Sequence, residues 1–176
     1  MNLDDFLEND ERREVQLLQL LLKAGAAGCL YTTAITTLGV SGSTMGTTVA
    51  ALQQRIRGFD AAADISVTDS GGQRCICLQT RTPVNFSELY RQLLVQSKSY
   101  RILLTLLQKG KVSADELAQL LYISKPAVFR RIKLLNQALA VFSLQIKGGT
   151  LIGPEIALRY LYYRLLLNSH DYDTLA

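Results

Sequence analysis

The chain has 176 residues, enough for one ordinary domain or two small ones, and its hydrophobic content of 48% argues for folded cores and against disorder. No apolar run is long enough to span a bilayer, and the acidic start is unlike a secretory signal peptide, so a cytoplasmic protein is predicted. The net charge of +4 is uneven: residues 98–153 hold nine bases against two acids, whereas residues 1–23 hold six acids against three bases. The positive field of residues 98–153 is what phosphate binding would require.

The first half of the chain predicts three helices followed by a β-hairpin. Apolar residues recur at helical spacing over 3–24 or 10–24, over 31–38 and over 43–57. Gly58 is the predicted C-terminal cap of the third helix. Two β-rich runs, 64–69 and 73–79, flank Ser70-Gly71-Gly72, which is typical of a hairpin turn.

The same order of elements recurs after a connector. Residues 80–98 contain the amphipathic run FSELYRQLLVQS, which predicts a connecting helix. Three more helices are then expected over 100–109, 113–122 and 125–138, before a second hairpin around Gly148-Gly149. Residues 38–52 align on residues 121–135 at a constant offset of 83, which places Ser41 on Ser124 and apolar residues on one another. This indicates a tandem repeat of one supersecondary unit.

Three helices closed by a hairpin form a winged helix-turn-helix, because the hairpin covers the open side of the helical core. The predicted fold is therefore mainly α with small β-hairpins, as two tandem winged helix-turn-helix domains joined by a helical connector. The expected boundaries are 1–80, 81–98, 99–153 and 154–176. The last segment opens a helix that is apolar on nearly all sides. It is expected to begin a further helical domain, to pack on the second winged unit, or to pair between chains.

The stretch SADELAQLLYISKPAVFRRIKLL, residues 113–135, predicts the recognition element. Ser113 and Glu116 form a capping box, and Ser124 can cap a second helix that carries Pro126 in its first turn. In that second helix Val128, Ile132 and Leu135 are expected inside, while four cations are expected outside: Lys125, Arg130, Arg131 and Lys133. A helix, a turn and a helix with a basic outer face is the layout of a helix-turn-helix. An ordinary helical hairpin with a solvated basic face is the alternative.

Signs of catalysis or of a cofactor are missing from the sequence. There is one histidine, no glycine-rich phosphate loop after a strand, and no clustered set of metal ligands, so no enzyme activity and no cofactor are predicted. Cys29, Cys75 and Cys77 are an odd number without a secretory signal, which favours buried thiols over disulfides or a metal site.

Two segments, SYRILLTLLQKGKVSADELAQLLYISKPAVFRRIKLLNQAL and LQIKGGTLIGPEIALRYLYYRLL, resemble the Mga/AtxA family of transcriptional regulators of low-GC Gram-positive bacteria. The resemblance implies a sequence-specific regulator of promoter DNA, of the activator and virulence-regulator kind. It also implies homodimers and control by the phosphotransferase system through domains beyond residue 176, of which the last helix would be the start. His170, the single histidine, is expected to be solvated or packed rather than a phosphoacceptor.

By the same resemblance, the DNA-reading positions of the second unit are Lys125, Pro126, Ala127, Phe129, Arg130 and Arg131, and the outer-face Lys133 joins them. Lys147 beside the hairpin tip, and Arg74 in the first unit, are candidates for flanking phosphates. The equivalent helix of the first unit offers Ser43, Thr44 and Thr47 without a cation, so that unit is expected to be a secondary reader or a positioning domain. Phe129 is expected either as an exposed contact or as a core residue under the wing. Replacement of Arg130 and Arg131 together is expected to abolish DNA binding at a nearly unchanged melting temperature.

Two other binding functions remain open at this point. Winged helices also pair with one another, so a protein-interaction or dimerisation module is the main alternative, and it should lack a steep salt dependence. RNA-binding antitermination is a second alternative. The sequence offers no aromatic platform in a strand of the kind that sheet-based RNA readers use.

Overall fold

A computed structural model describes residues 3–81 and 85–169. Their contacts divide them into two compact units. The first winged unit comprises the described residues from 9 to 90, and the second winged unit comprises residues 3–8 together with 91–169. The described chain is mainly helical with small antiparallel sheets, as two tandem winged helix-turn-helix units, which confirms the predicted fold class.

The first winged unit is a three-helix core closed by a three-stranded antiparallel sheet. Its elements are α1 (Asn9–Ala24), a 3-10 turn (Gly25–Ala27), β1 (Cys29–Leu30), α2 (Tyr31–Leu38), α3 (Gly42–Phe59), β2 (Ala63–Ser70) and β3 (Gln73–Thr80). The strand order is β1-β3-β2, with Val67 opposite Ile76 and Cys29 opposite Ile76 on the other side. The largest fully buried side chains come from α1, α3 and the sheet: Leu17, Leu18, Leu21, Met45, Leu52, Ile56, Ile65 and Ile76.

The second winged unit repeats this plan with shorter strands. Helix α4 (Phe86–Gln96) precedes α5 (Lys98–Lys109), α6 (Ala114–Leu121), α7 (Lys125–Ala140), β4 (Gln145–Lys147), β5 (Thr150–Ile152) and α8 (Glu155–Ser169). A 3-10 helix (Leu3–Phe6) also belongs to this unit and packs against α7. The core is built mainly from α5, α6 and α7: Tyr100, Ile102, Leu103, Leu106, Leu117, Leu121, Val128, Leu135 and Leu139.

The two units keep the predicted offset of 83 through their helix-turn-helix segments. Helices α2 and α6 begin and end at equivalent positions, and α3 and α7 begin at equivalent positions. Ser41 and Ser124 each cap the helix that follows, and each accepts a hydrogen bond from the backbone N–H three residues on. The turn between the helices starts in both units with a left-handed residue, Gly39 in the first and Tyr122 in the second. The tandem repeat is therefore confirmed.

The structure adds one shared feature that the sequence pattern missed. In the first unit the residues just before α2 form β1 and pair with β3 of the hairpin. At the equivalent place in the second unit, Lys111 bridges Thr150, and the Val112 N–H donates to the Gly149 carbonyl at 2.9 Å. Each wing is thus attached to the segment that leads into the helix-turn-helix. Two residues of strand are too short to leave a periodic signal.

Several predicted boundaries are wrong by a few residues. Gly58 lies inside α3, which ends at Phe59 with Asp60 as its cap. Helix α7 extends to Ala140, and the second hairpin begins only at Gln145 because Val141–Ser143 form a turn. Phe6 and Leu7, which precede α1, are 3% and 5% exposed, so the acidic start of the chain contributes to a core. His170 and Pro83 lie outside the described residues.

Candidate nucleic-acid interface

The turn between α6 and α7 is fixed by side-chain caps at both helix starts. The Ser113 hydroxyl accepts from the Glu116 N–H at 3.2 Å, and the Glu116 carboxylate accepts from the Ser113 N–H at 2.8 Å, so the predicted capping box is confirmed. These hydrogen bonds lower the pKa of Glu116 below its ordinary value. Pro126 lies in the first turn of α7, where its missing N–H leaves no hydrogen bond unmade.

The outer face of α7 carries three exposed cations. Arg130 and Lys133 are both exposed, whereas Val128, Leu135 and Leu139 face the core. Lys125 is also exposed, and its Nζ lies 2.8 Å from the Asp115 carboxylate on α6. An ion pair this exposed contributes about 0 to 1 kcal/mol, so the Lys125 ammonium can exchange this partner for another anion.

Arg131 does not lie on that face, and its predicted exposure is wrong. The residue is 8% exposed, and its Nε lies 2.6 Å from a carboxylate oxygen of Glu8. Its guanidinium also donates to the Ala127 carbonyl at 3.5 Å, one turn earlier in α7. Arg131 therefore joins the segment before α1 to the inner side of α7. Adjacent residues of a helix point about 100° apart, which separates Arg131 from the exposed Arg130.

Phe129 is exposed, not part of the core under the wing. Its exposed fraction is 55%, although it stands next to the buried Val128. Pro126 is exposed and Ala127 is half-buried, so the first turn of α7 presents small and rigid groups that allow a close approach. The cationic face of α7 therefore has an aromatic ring among its charges.

The wing of the second unit brings Lys147 to the surface. Lys147 is exposed and lies opposite Thr150, across a two-residue turn in which Gly148 and Gly149 both have positive φ. The Asn136 side chain donates to the Ile146 carbonyl at 3.0 Å and accepts from the Ile146 N–H at 2.6 Å. Asn136 thereby fixes the wing beside α7. Sequence reasoning missed this residue, whose only signal was an amide between apolar positions of the helix.

The first unit offers little charge at the equivalent positions. Ser43 and Thr47 are exposed and Thr44 is half-buried. Their hydroxyls are engaged locally: Ser43 and Thr44 with Ser41 at 3.0 and 2.9 Å, and Thr47 with the Thr44 carbonyl at 2.8 Å. Neutral hydroxyl groups supply no ionic attraction for phosphates, so this helix lacks the electrostatic part of a DNA contact.

Three cations of the first unit have partners within it. The Arg74 guanidinium lies over the ring of Tyr31, 4.5 Å from its centroid. Arg57 makes two hydrogen bonds to Asp64, at 2.8 and 2.7 Å, which hold the pKa of that carboxyl below its ordinary value. Arg55 pairs with the buried Glu14, whose pKa is raised by burial and lowered in part by Arg55. These cations of the first unit are thus engaged within it, whereas Arg130 and Lys133 of α7 are exposed.

The three cysteines are free thiols in the first unit. Cys29 is buried, and burial raises its pKa, while Cys75 and Cys77 are half-buried with sulfurs 3.9 Å apart. Over residues 3–81 and 85–169 no three metal-ligating side chains come together.

A trihelical core, a short turn, a cationic second helix and a wing define the winged helix-turn-helix class of DNA-binding proteins. Residues 83–166 match the family model described as the Mga helix-turn-helix domain. This part of the chain is thus similar to a helix-turn-helix domain of the Mga type, which confirms the resemblance seen in the sequence. Among curated proteins no match was found. Within the described residues, every helix is too short or too polar to cross a membrane.

Proposed function

We propose that this chain regulates transcription by sequence-specific binding to double-stranded DNA, with α7 in the major groove. The observation that carries the proposal is the outer face of α7, where Arg130 and Lys133 are exposed at helical spacing opposite the core residues. Helix-turn-helix proteins place this helix in the groove with its amino-terminal residues at the base edges.

Each exposed cation has a role that follows from its chemistry and place. Arg130 is the candidate for a base edge, since a bidentate arginine–guanine contact discriminates by about 1 to 3 kcal/mol. Lys133, one turn further from the start of α7, and Lys125, at that start, are candidates for phosphates. Lys147 extends the contact through the wing to a flanking phosphate. Arg131 has no part in this set, because its guanidinium is engaged with Glu8.

The first winged unit has a secondary part in the proposal. Its recognition helix, α3, presents Ser43, Thr44 and Thr47, and Arg74 on its wing is stacked on Tyr31. Stacking leaves the guanidinium edge of Arg74 able to meet one phosphate. The unit is therefore proposed to position the second unit or to add a weak backbone contact.

The experiment is a binding titration against duplexes selected from a random pool, at two salt concentrations. Arg130→Ala/Lys133→Ala is expected to lower affinity ~100-fold and to reduce the slope of log K against log salt by ~1, because Lys133 is the proposed phosphate contact and Arg130 the proposed base contact. The matched control, Lys109→Ala/Arg159→Ala, removes the same formal charge from α5 and α8 and should retain the wild-type slope. Equal losses of DNA affinity in the two double variants would show that binding depends only on net charge, and would contradict a contact made by α7.

The family resemblance extends the proposal to features beyond this geometry: transcriptional activation, a homodimer, phosphotransferase control and a place in the cytoplasm, where bacterial promoters are. The proposed domain division follows the two compact units, so α8 is proposed both to pack within the second winged unit, through Leu161 and Leu165, and to begin a regulatory domain. One side of α8 exposes Ile156, Tyr160 and Tyr163, at 80%, 45% and 59%, which suits a helix with a further neighbour. A promoter–reporter assay with and without the protein distinguishes activation from repression.

A protein-interaction module is the second candidate, and the first unit favours it. Three of its cations are engaged with Glu14, Asp64 and Tyr31, which leaves α3 with a neutral hydroxyl face. An apolar or neutral interface changes little with salt, whereas binding through several phosphates weakens steeply. A flat salt dependence of whatever the chain binds would favour the interaction module.

A further inference from the structure

The ring of Phe129 lies on the cationic side of α7. It is the fifth residue of the helix, so Lys125 and Lys133 flank it one turn away on each side, and Arg130 follows directly. All four side chains are exposed, Phe129 to 55%. The core does not need this ring, because Val128, Leu135 and Leu139 fill the inner side of α7.

The surroundings of Phe129 form a shallow depression beside the wing. Its lining comes from the same side of α7: Phe129, Ile132, Lys133, Asn136, Gln137 and Ala140. Asn136 is held by its two hydrogen bonds to Ile146, so the wing side of the depression is fixed. The ring thus offers an apolar contact at a defined place on a rigid helix.

The charges around Phe129 determine which kind of surface its ring can contact. A patch ringed by Lys125, Arg130 and Lys133 favours a polyanion over an apolar protein surface, whose approach would desolvate the three cations. The major groove of DNA carries one apolar group, the 5-methyl of thymine, and phenylalanine is among the side chains that contact it. Guanine, adenine and cytosine carry no methyl group there.

We propose that Phe129 contacts the 5-methyl group of a thymine and makes the protein prefer thymine over the other bases at that position of its site. The inference rests on the proposed function, since it requires α7 in the major groove. It assigns Phe129 as a specificity-determining residue, whereas the neighbouring cations supply affinity through phosphates and a polar base contact.

The test uses deoxyuridine, which lacks only the methyl group and retains the pairing and the O4 acceptor of thymine. Each thymine of a selected duplex is replaced singly, and the dissociation constants of the wild-type chain and of Phe129→Ala are measured. One position, or two neighbouring ones, should weaken wild-type binding ~4- to 10-fold on loss of a single buried methyl. Phe129→Ala should bind both duplexes equally, with an unchanged salt slope and an unchanged melting temperature.

A control on the same helix is Leu134→Ala, which truncates an exposed apolar residue, 47% exposed, in the second half of α7. It should retain the full uracil penalty. The inference is overturned if no uracil substitution weakens wild-type binding, if the penalty persists in Phe129→Ala, or if Leu134→Ala removes it. Failure to select any duplex with salt-dependent affinity would instead contradict the proposed function itself.

Discussion

The Nε of Arg131 lies 2.6 Å from a carboxylate oxygen of Glu8, on the inner side of the proposed recognition helix. The two side chains are 10% and 28% exposed, so the pair is largely removed from water. Glu8 ends a segment whose Phe6 and Leu7 are buried in the second winged unit. Arg131 lies in the sequence context of a DNA contact, but its side chain instead pairs with Glu8 and links the segment before α1 to α7.

Loss of this pair should lower stability without a direct loss of a DNA contact. Arg131→Ala is expected to reduce the free energy of unfolding by about 1 to 3 kcal/mol, between the values for exposed and buried pairs, because it leaves Glu8 without its principal countercharge. Glu8→Gln should cost a similar amount. Denaturant unfolding of both single variants and the double variant measures the coupling, which should exceed ~1 kcal/mol.

DNA binding by Arg131→Ala gives the matching control. Under conditions where the variant is fully folded, its salt slope should equal that of the wild type, because no phosphate contact is lost. If the slope of log K against log salt for Arg131→Ala is lower by about 1 and its stability is unchanged, Arg131 contacts a phosphate and is not a structural residue.

Arg130→Ala should show the opposite behaviour. Its side chain is exposed and lies off the core side of α7. The free energy of unfolding should therefore change by no more than about 0.5 kcal/mol, and the melting temperature should stay nearly the same. DNA affinity should fall ~10-fold, with relaxed discrimination at one base pair. The expectation that a joint replacement of Arg130 and Arg131 leaves the melting temperature unchanged therefore applies to Arg130 alone. Parallel thermal melts and anisotropy titrations measure both quantities.

The fold was largely predictable because its signals are local. Ser113, Ser124 and Ser41 cap helices at the predicted places, and paired glycines mark both hairpin turns. Such signals depend only on residues a few positions apart. The attachment of each wing to the segment before the second helix was missed, since its hydrogen bonds join residues far apart in sequence and use backbone atoms that every residue has.

The site was predictable only in part, for the same reason. Helical periodicity placed Arg130 and Lys133 outside, and the structure agrees. It failed for Arg131 because a cation is assigned to solvent unless its partner is known, and Glu8 belongs to a distant part of the chain. Phe129 was left open between core and surface, since an aromatic side chain fits either side of a helix pattern.

The wing turn allows a test of the hairpin attachment. Gly148 and Gly149 both have positive φ, but a Cβ on Gly149 would lie 2.2 Å from the Val112 carbonyl oxygen, whereas a Cβ on Gly148 meets nothing within 4 Å. Gly148→Ala should cost about 1 to 2 kcal/mol for the left-handed backbone alone. Gly149→Ala adds a backbone clash and should cost about 3 kcal/mol or more. Equal losses in denaturant unfolding would contradict the attachment of the wing to Val112.

The pairing of α5 with α8 gives a prediction that depends on pH. The Tyr100 hydroxyl donates to the Leu165 carbonyl at 2.6 Å in the core, and burial raises the pKa of Tyr100 to about 12. Tyr100→Phe should lower stability by about 1 to 2 kcal/mol at pH 7, because a buried hydrogen bond to the Leu165 carbonyl is lost. Since the native pKa exceeds that of the unfolded chain, the stabilising contribution of neutral Tyr100 is complete below about pH 10 and is lost as the pH rises towards 12. The stability difference between wild type and Tyr100→Phe should therefore shrink over that range in denaturant titrations.

Tyr163→Phe, at a residue 59% exposed, is the control, and its free energy of unfolding should follow that of the wild type across the same pH range. A constant difference between wild type and Tyr100→Phe from pH 9 to 12 would place the hydroxyl in water and would contradict its burial between the two helices.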